Sequence, residues 1–366
     1  MTFLSKKPLV MGDLVAKLPI VQGGMGVGVS LSGLASAVAN QGGVGVIATA
    51  GIGMFEKDFA KNYLEANVKA FQNEIRKARE MSKGIIGANI MVALTNFADF
   101  VKTAIEEEID VIFSGAGMPL NLPQFLTPGK KTKLVPIVSS ARAVQVISKR
   151  WLSKFNYAPD AFVLEGPKAG GHLGFKKEQL DDPDFSLEKL VREVLPEIKK
   201  VEEASGKSIP LIAAGGIYTG EDIFRFLEMG VSAVQMGTKF VTTEECDAEP
   251  EFKQTYLDAS AEDITIIKSP IGLPGRAVIN EFVTDVESGK KKPFNCPFHC
   301  IITCDVENSP YCIALALINA QKGRLKHGFA FAGENAYRAT EISTVERIFH
   351  QLGEEYDKAY LDKYPQ

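Results

Sequence analysis

The chain has 366 residues, 45% of them hydrophobic, and a formal net charge of -4 from 41 basic and 45 acidic side chains. That near-balance leaves no electrostatic footprint for nucleic acid, and the short lysine patches at 130–133 and 290–292 read as solvated loops. No apolar stretch approaches the ~20 residues that span a bilayer, and Met1 to Lys7 lacks the apolar core of a secretion signal, so a cytoplasmic protein with no membrane partner is expected.

Short apolar runs alternate with amphipathic segments from about residue 19 to residue 260. Candidate strands fall at 19–22, 44–48, 85–92, 111–114, 134–138, 161–164, 210–214 and 233–236. Most are rich in Val and Ile without polar alternation, the pattern of strands buried on both faces. Candidate helices lie between them at 31–40, 96–107, 141–149, 187–204 and 220–229, with a long charged segment at 57–79 after the second strand. Eight such pairs fit an α/β fold of the TIM-type (β/α)8 barrel class better than an open sheet. From about Asp263 the alternation weakens, so residues 1–262 are expected to form the barrel and residues 263–366 a C-terminal mixed region. Ser343-Thr344-Val345-Glu346 has capping-box spacing ahead of a terminal helix that should pack on the barrel or its neighbour.

Nearly every candidate strand ends in glycine or a small polar residue. Gly23-Gly24-Met25-Gly26, Gly115-Ala116-Gly117, Gly215-Gly216 and Gly237-Thr238 would pave one face of the barrel with backbone. Barrels often hold phosphate between the loops after strands seven and eight, using main-chain N–H groups and a helix N-terminus. Gly215, Gly216, Gly237 and Thr238 stand at those two loops, and Thr219-Gly220-Glu221-Asp222 opens the following helix. The rival Gly24-Met25-Gly26-Val27-Gly28 is a poor dinucleotide fingerprint. Val29 replaces the third glycine, and no acidic residue lies between Asp13 and Glu56 to bind a ribose.

The sixth strand delivers Glu165 and, shortly after it, Gly170, Gly171 and His172 to the carboxyl end of the barrel, where ligands bind. Glycines let the main chain lie flat against a planar ligand, and histidine exchanges protons near neutral pH. Whether Glu165 orients His172, binds a sugar hydroxyl or caps the next turn is open at this level. Lys168 either attracts an anionic substrate or is solvated.

Val21-Gln22-Gly23-Gly24-Met25, Gly87-Ala88-Asn89-Ile90-Met91, Ala169-Gly170-Gly171-His172, Ala213-Ala214-Gly215-Gly216-Ile217 and Val234-Gln235-Met236-Gly237-Thr238 together resemble the nitronate monooxygenases, over about residues 15–260. FMN-dependent enoyl-acyl-carrier-protein reductases share the set. The resemblance implies FMN in the barrel mouth, with its phosphate on Gly215, Gly216, Gly237 and Thr238. It places Gln22, Gly23, Gly24, Met25 and Asn89 against the ring or ribityl chain, and it leaves Gln235 between the mouth and strand packing. His172 would be the acid/base residue, a neutral imidazole with a reference pKa of ~6.5. Arg276 falls where the family has a mobile region over the site, which makes it a candidate for binding a substrate anion. The implied reaction oxidises an alkyl nitronate with O2 to a carbonyl compound and nitrite. An NAD(P)H-dependent reduction of an enoyl thioester and a non-catalytic flavin-binding module are the alternatives. All three take small molecules, and no motif specifies an oligomeric state.

Cys296, Cys300, Cys304 and Cys312 form C-x3-C-x3-C-x7-C, which departs from the family pattern. Four thiolates suit an iron–sulfur cluster or zinc. The first three also fit helical spacing, which would set the outer two ~12 Å apart and favour core-facing cysteines unless Pro297 and Pro310 break the helix. Cys246 reads as structural.

Overall fold

The computed structural model describes residues 2–57, 59, 61–290, 296 and 298–365; Lys291, Lys292 and Pro297 lie outside them. A hairpin of β1 (Leu9–Met11) and β2 (Leu14–Ala16) precedes β3 (Ile20–Gln22), α1 (Ser32–Asn40), β4 (Val44–Ala48), α2 (Tyr63–Met81) and β5 (Ile85–Met91). Then come α3 (Phe97–Glu106), β6 (Val111–Gly115), β7 (Lys133–Val138), α4 (Ala141–Phe155), β8 (Phe162–Glu165), β9 (Gly171–His172) and α5 (Leu187–Ser205). The barrel ends with β10 (Leu211–Ala214), α6 (Gly220–Glu228), β11 (Ala233–Met236) and the short α7 (Thr238–Val241). After it follow α8 (Pro250–Leu257), β12 (Ile264–Lys268), β13 (Pro274–Val278), α9 (Glu281–Glu287), α10 (Ile313–Gln321) and α11 (Val345–Lys363).

Strands β10, β11, β3, β4, β5, β6, β7 and β8 close in that order into a parallel barrel. The expected (β/α)8 architecture is therefore present. Side chains alternate along each strand. Val44 and Val46 of β4 fill the interior with Val21, Phe113, Val135 and Ile212, while Ile47 joins the outer layer beneath the helices. A Cβ at Gly45 would strike the Ala35 carbonyl, so α1 rests directly on β4.

The N-terminal hairpin was not foreseen. Leu9, Met11 and Ala16 extend the interior layer, and Asp13 at the turn pairs with Lys133 at the start of β7. The hairpin thus closes the amino ends of the strands, and Lys133 belongs to a strand rather than to a solvated loop. The carboxyl ends stay open.

Two pieces of the C-terminal region reach the barrel. Strands β12, β13 and β9 form a small antiparallel sheet in which Gly275 faces His172 and Arg276 faces Gly171. Helix α11 packs on α6, with the Phe224 and Tyr356 rings edge-on at 5.6 Å. Its N-cap is Thr344, whose hydroxyl accepts from the Arg347 N–H at 3.2 Å. That is one residue later than the capping-box spacing suggests, because the Ser343 N–H donates to the Thr242 carbonyl. Among the described residues no helix is long and apolar enough to cross a membrane.

Candidate active site

A cavity of about 520 Å³ opens at the carboxyl ends of the barrel strands, within the size range of small-molecule sites. Its wall brings together Gly23, Gly24, Met25, Asn89, Glu165, Gly170, Gly171, His172, Gly215, Gly216, Gln235, Gly237 and Thr238. Gln22 does not join them. It is fully buried, its Oε1 accepting from the Val46 N–H at 2.8 Å and its Nε2 donating to the Gly23 carbonyl at 2.5 Å. Gln22 is a cross-strand brace under the glycines rather than a surface for a ligand.

The glycines are required by close approach. Gly215 and Gly216 have φ of 93° and 86°, a region that costs other residues strain. A Cβ on Gly215 would sit 2.8 Å from the Gly166 carbonyl oxygen. Among the described residues the N–H groups of Gly215 and Gly216 meet no acceptor. The N-terminus of α6, by contrast, is already occupied. The Gly220 N–H donates to Glu355 at 2.7 Å, and Asp222 accepts from the Tyr218 and Thr219 N–H groups. The helix terminus expected to help bind phosphate is capped by carboxylates, which leaves the Gly215 and Gly216 amides as the free main-chain donors at this end. The C-terminal region closes this end. The Gly333 N–H donates to the Thr238 hydroxyl at 3.1 Å, and the Asn335 amide donates to the Gly216 carbonyl at 2.9 Å. Nothing in the sequence marks these partners, which lie about a hundred residues away.

His172 stands on β9 in the cavity wall. Its Nε2 lies 2.7 Å from the Ser269 hydroxyl, whose oxygen accepts from the Ile271 N–H at 3.4 Å. The Phe331 ring meets the imidazole edge-on at 4.9 Å. Burial lowers the His172 pKa to about 4 and raises that of Glu165 to about 7. Both residues are partly covered because they face the cavity, and low polarity disfavours the charged form of each. His172 is therefore neutral at pH 7, as the sequence suggests, but far from its reference value.

Arg276 is not among the residues that line the cavity. It is buried, and its Nη1 donates to the Pro167 and Ala169 carbonyls at 2.6 and 2.7 Å. The guanidinium thus clamps the loop that carries Gly170 and Gly171. Lys168 pairs with Glu334 at 2.8 Å. Cys246 is buried, its thiol against the Val29 carbonyl, and structural as expected.

The cysteine run is not a helix facing a core. All four thiols are half-buried, residues 298–311 contain no helix, and Cys300 lines the cavity. Among the described residues no three His, Cys, Asp or Glu side chains are placed to hold one metal ion as they lie.

The nitronate monooxygenase family model matches residues 8–355. The chain belongs to that family. Relatives of this nitronate monooxygenase family member carry the names of oxidoreductases, and it is an enzyme of that class. It is 26% identical to a probable nitronate monooxygenase of Staphylococcus saprophyticus over 75% of this chain and 79% of the other. It is 27% identical to a 5-hydroxy-7a-methyl-1-oxo-octahydro-1H-indene-4-carboxyl-CoA dehydrogenase of Mycobacterium tuberculosis over 75% of this chain and 66% of the other. The family fold is also that of FabK from Thermotoga maritima, with a TM-score of 0.71, 26% identity and 94% of each chain covered.

Proposed function

We propose that this family member binds FMN in the barrel mouth and oxidises alkyl nitronates with O2 to carbonyl compounds and nitrite. The observation that carries the reading is the shared cavity. The unpartnered Gly215 and Gly216 amides and the neutral His172 stand in one wall system. Residues 1–262 would form the FMN-binding barrel and residues 263–366 the lid and substrate region, since Ser269, Phe331 and Asn335 all reach the site.

The residues fit the cofactor. A glycine floor leaves room for a flat ring, and the Asn89 and Gln235 amides face the cavity, able to donate and accept toward polar ring atoms. Bound FMN supplies the two-electron acceptor for the substrate and the reactivity toward O2. Gly215, Gly216 and Gly237 receive the phosphate through main-chain donors. Ser269 holds the imidazole through Nε2, and in the tautomer whose Nε2–H donates to the Ser269 oxygen the Nδ1 lone pair is the free base. A neutral nitroalkane loses its α-proton to that nitrogen, whereas a nitronate arrives already deprotonated. Glu165, its pKa raised by burial to about 7, can hold or return a proton in the same wall.

An enoyl-thioester reductase using NAD(P)H is the second reading. It is favoured by the apolar arm of the cavity, where Met54, Phe59, Leu94, Ile301 and Leu317 suit an acyl chain, and by the 26% identity to FabK. Anaerobic reduction of the flavin-loaded protein separates the two. Bleaching by an alkyl nitronate supports the first; bleaching by NADH alone supports the second. A protein that binds FMN and responds to neither is a binding module.

A further inference from the structure

The four clustered cysteines play no part in the reaction proposed above, and packing does not account for them. Cys296, Cys300, Cys304 and Cys312 are half-buried rather than sealed in a core. The spacing objection to a shared ligand applies only to a straight helix. Residues 298–311 are instead a single bridge, turns, bends and irregular chain, and Cys312 is the N-cap of α10.

The backbone holds the run beside the cavity. The Thr95 N–H donates to the Cys300 carbonyl at 3.2 Å, and the Ile302 N–H donates to the Ala93 carbonyl at 2.9 Å. With the Leu94–Ile301 bridge, these bonds fix Cys300 against the loop leaving β5, the strand of Asn89. A turn closed by the Cys304 N–H on the Ile301 carbonyl brings Cys304 back over the same segment. Cys312 stands at the start of the helix whose Ile313, Ala314 and Leu317 line the cavity with Cys300.

The thiols lie within electrostatic reach of one another. After burial, the thiols of Cys312, Cys296 and Cys304 are the next influences that raise Cys300, and Cys296 and Cys304 both act on Cys312. Among the described residues, no lysine or arginine is one of the main groups acting on Cys300, Cys304 or Cys312.

We propose that Cys296, Cys300, Cys304 and Cys312 hold one thiolate-bound metal centre, zinc or an iron–sulfur cluster, in the wall of the substrate cavity. No three of them converge as they lie, so binding would draw the four thiols together around the metal. Metal sites commonly form together with the local structure they stabilise. Zinc asks for a tetrahedron of thiolates at about 2.3 Å, and a cubane cluster asks for four cysteines. Either would lock Phe298 and Ile301 over the apolar arm.

The test is metal and acid-labile sulfide analysis of the full-length protein purified without oxygen, alongside Cys296→Ser, Cys304→Ser and the control Cys246→Ser. The expected result is about one zinc, or about four iron and four sulfide, per chain. The cluster variants should lose it while keeping their FMN content and circular dichroism, and Cys246→Ser should keep it. Iron with sulfide identifies a cluster, and zinc alone identifies a structural site. Thiol titration of the wild type guards against misfolded variants: the four cluster thiols should react only after chelator is added, and the buried Cys246 only on unfolding. The proposal is overturned if the wild type carries no metal and takes none up from zinc chloride or from ferrous iron with sulfide. It is equally overturned if both variants keep the full metal content, or if the thiols emerge as disulfides. The metal, sulfide and thiol readouts do not depend on nitronate turnover or on bound flavin.

Discussion

The imidazole Nε2 of His172 and the hydroxyl of Ser269 lie 2.7 Å apart although 97 residues separate them in the chain. The antiparallel pairing of Gly275 with His172 produces that contact, because it carries the turn preceding β13 across the barrel mouth. Ser269→Ala leaves the imidazole free to change tautomer and swing. A fall in kcat of up to about 100-fold is expected, the cost of misplacing a reacting group by ~1 Å, with FMN content unchanged. Steady-state kinetics beside a flavin spectrum checks this. Equal loss of FMN and activity would mean that Ser269 is structural.

His172→Ala should retain FMN and lower turnover by about 10²–10⁴-fold, the usual contribution of a positioned acid or base. The loss should be greater with a neutral nitroalkane than with its nitronate, since only the former needs a base. Parallel nitrite assays on both substrates decide it.

Much of this arrangement is legible in the residues themselves. Val44-Gly45-Val46-Ile47-Ala48 can be only a buried strand, and Gly215-Gly216 and Gly170-Gly171-His172 fall at strand ends where a barrel binds ligands. The partners of those residues are not legible. Ser269, Phe331, Gly333 and Asn335 sit in a stretch without periodicity, and their positions depend on β13 adding to β9, a long-range pairing with no local signature. Gln22 misleads for a related reason. Its neighbours Gly23 and Gly24 line the cavity, but alternation along β3 turns its own side chain to the Val46 N–H. Arg276 reads as an exposed anion ligand until the Pro167 and Ala169 carbonyls beneath it are seen.

Acidity should act through two groups of opposite sign. The His172 pKa is lowered to about 4, below its unfolded value of ~6.5, so the unfolded state binds the extra proton first. Stability from this group is present above about pH 6.5 and declines as pH falls toward 4. The Glu165 pKa is raised to about 7, so folding opposes its ionisation, and this contribution declines as pH rises from ~4.5 to about 7. The base limb of kcat/KM should therefore fall well below pH 6, and Glu165→Gln should remove any transition near pH 7. Profiles of wild type and variant on a neutral nitroalkane test both assignments.

Arg276→Ala removes two donors from buried carbonyls. A destabilisation of about 1–3 kcal/mol is expected from their lost partners, together with weaker FMN retention as the Gly170–Gly171 loop slackens. Thermal melting with and without added FMN measures it. An unchanged melting temperature would show that the clamp is redundant.

Gly216→Ala combines a φ of 86° with a Cβ 2.9 Å from that of Lys168. It should raise the FMN dissociation constant at least tenfold, about 1.4 kcal/mol, while the barrel stays folded. Fluorescence titration with FMN reports it.

The central claim is a flavin held on bare amides beside a neutral base, and it is tested most directly by mixing the purified, FMN-loaded protein with an alkyl nitronate in the absence of oxygen. The account predicts loss of the flavin absorbance band, followed by nitrite release and recovery of the band when air is admitted. A preparation that takes up no FMN, or one whose spectrum does not respond to the nitronate, would contradict it.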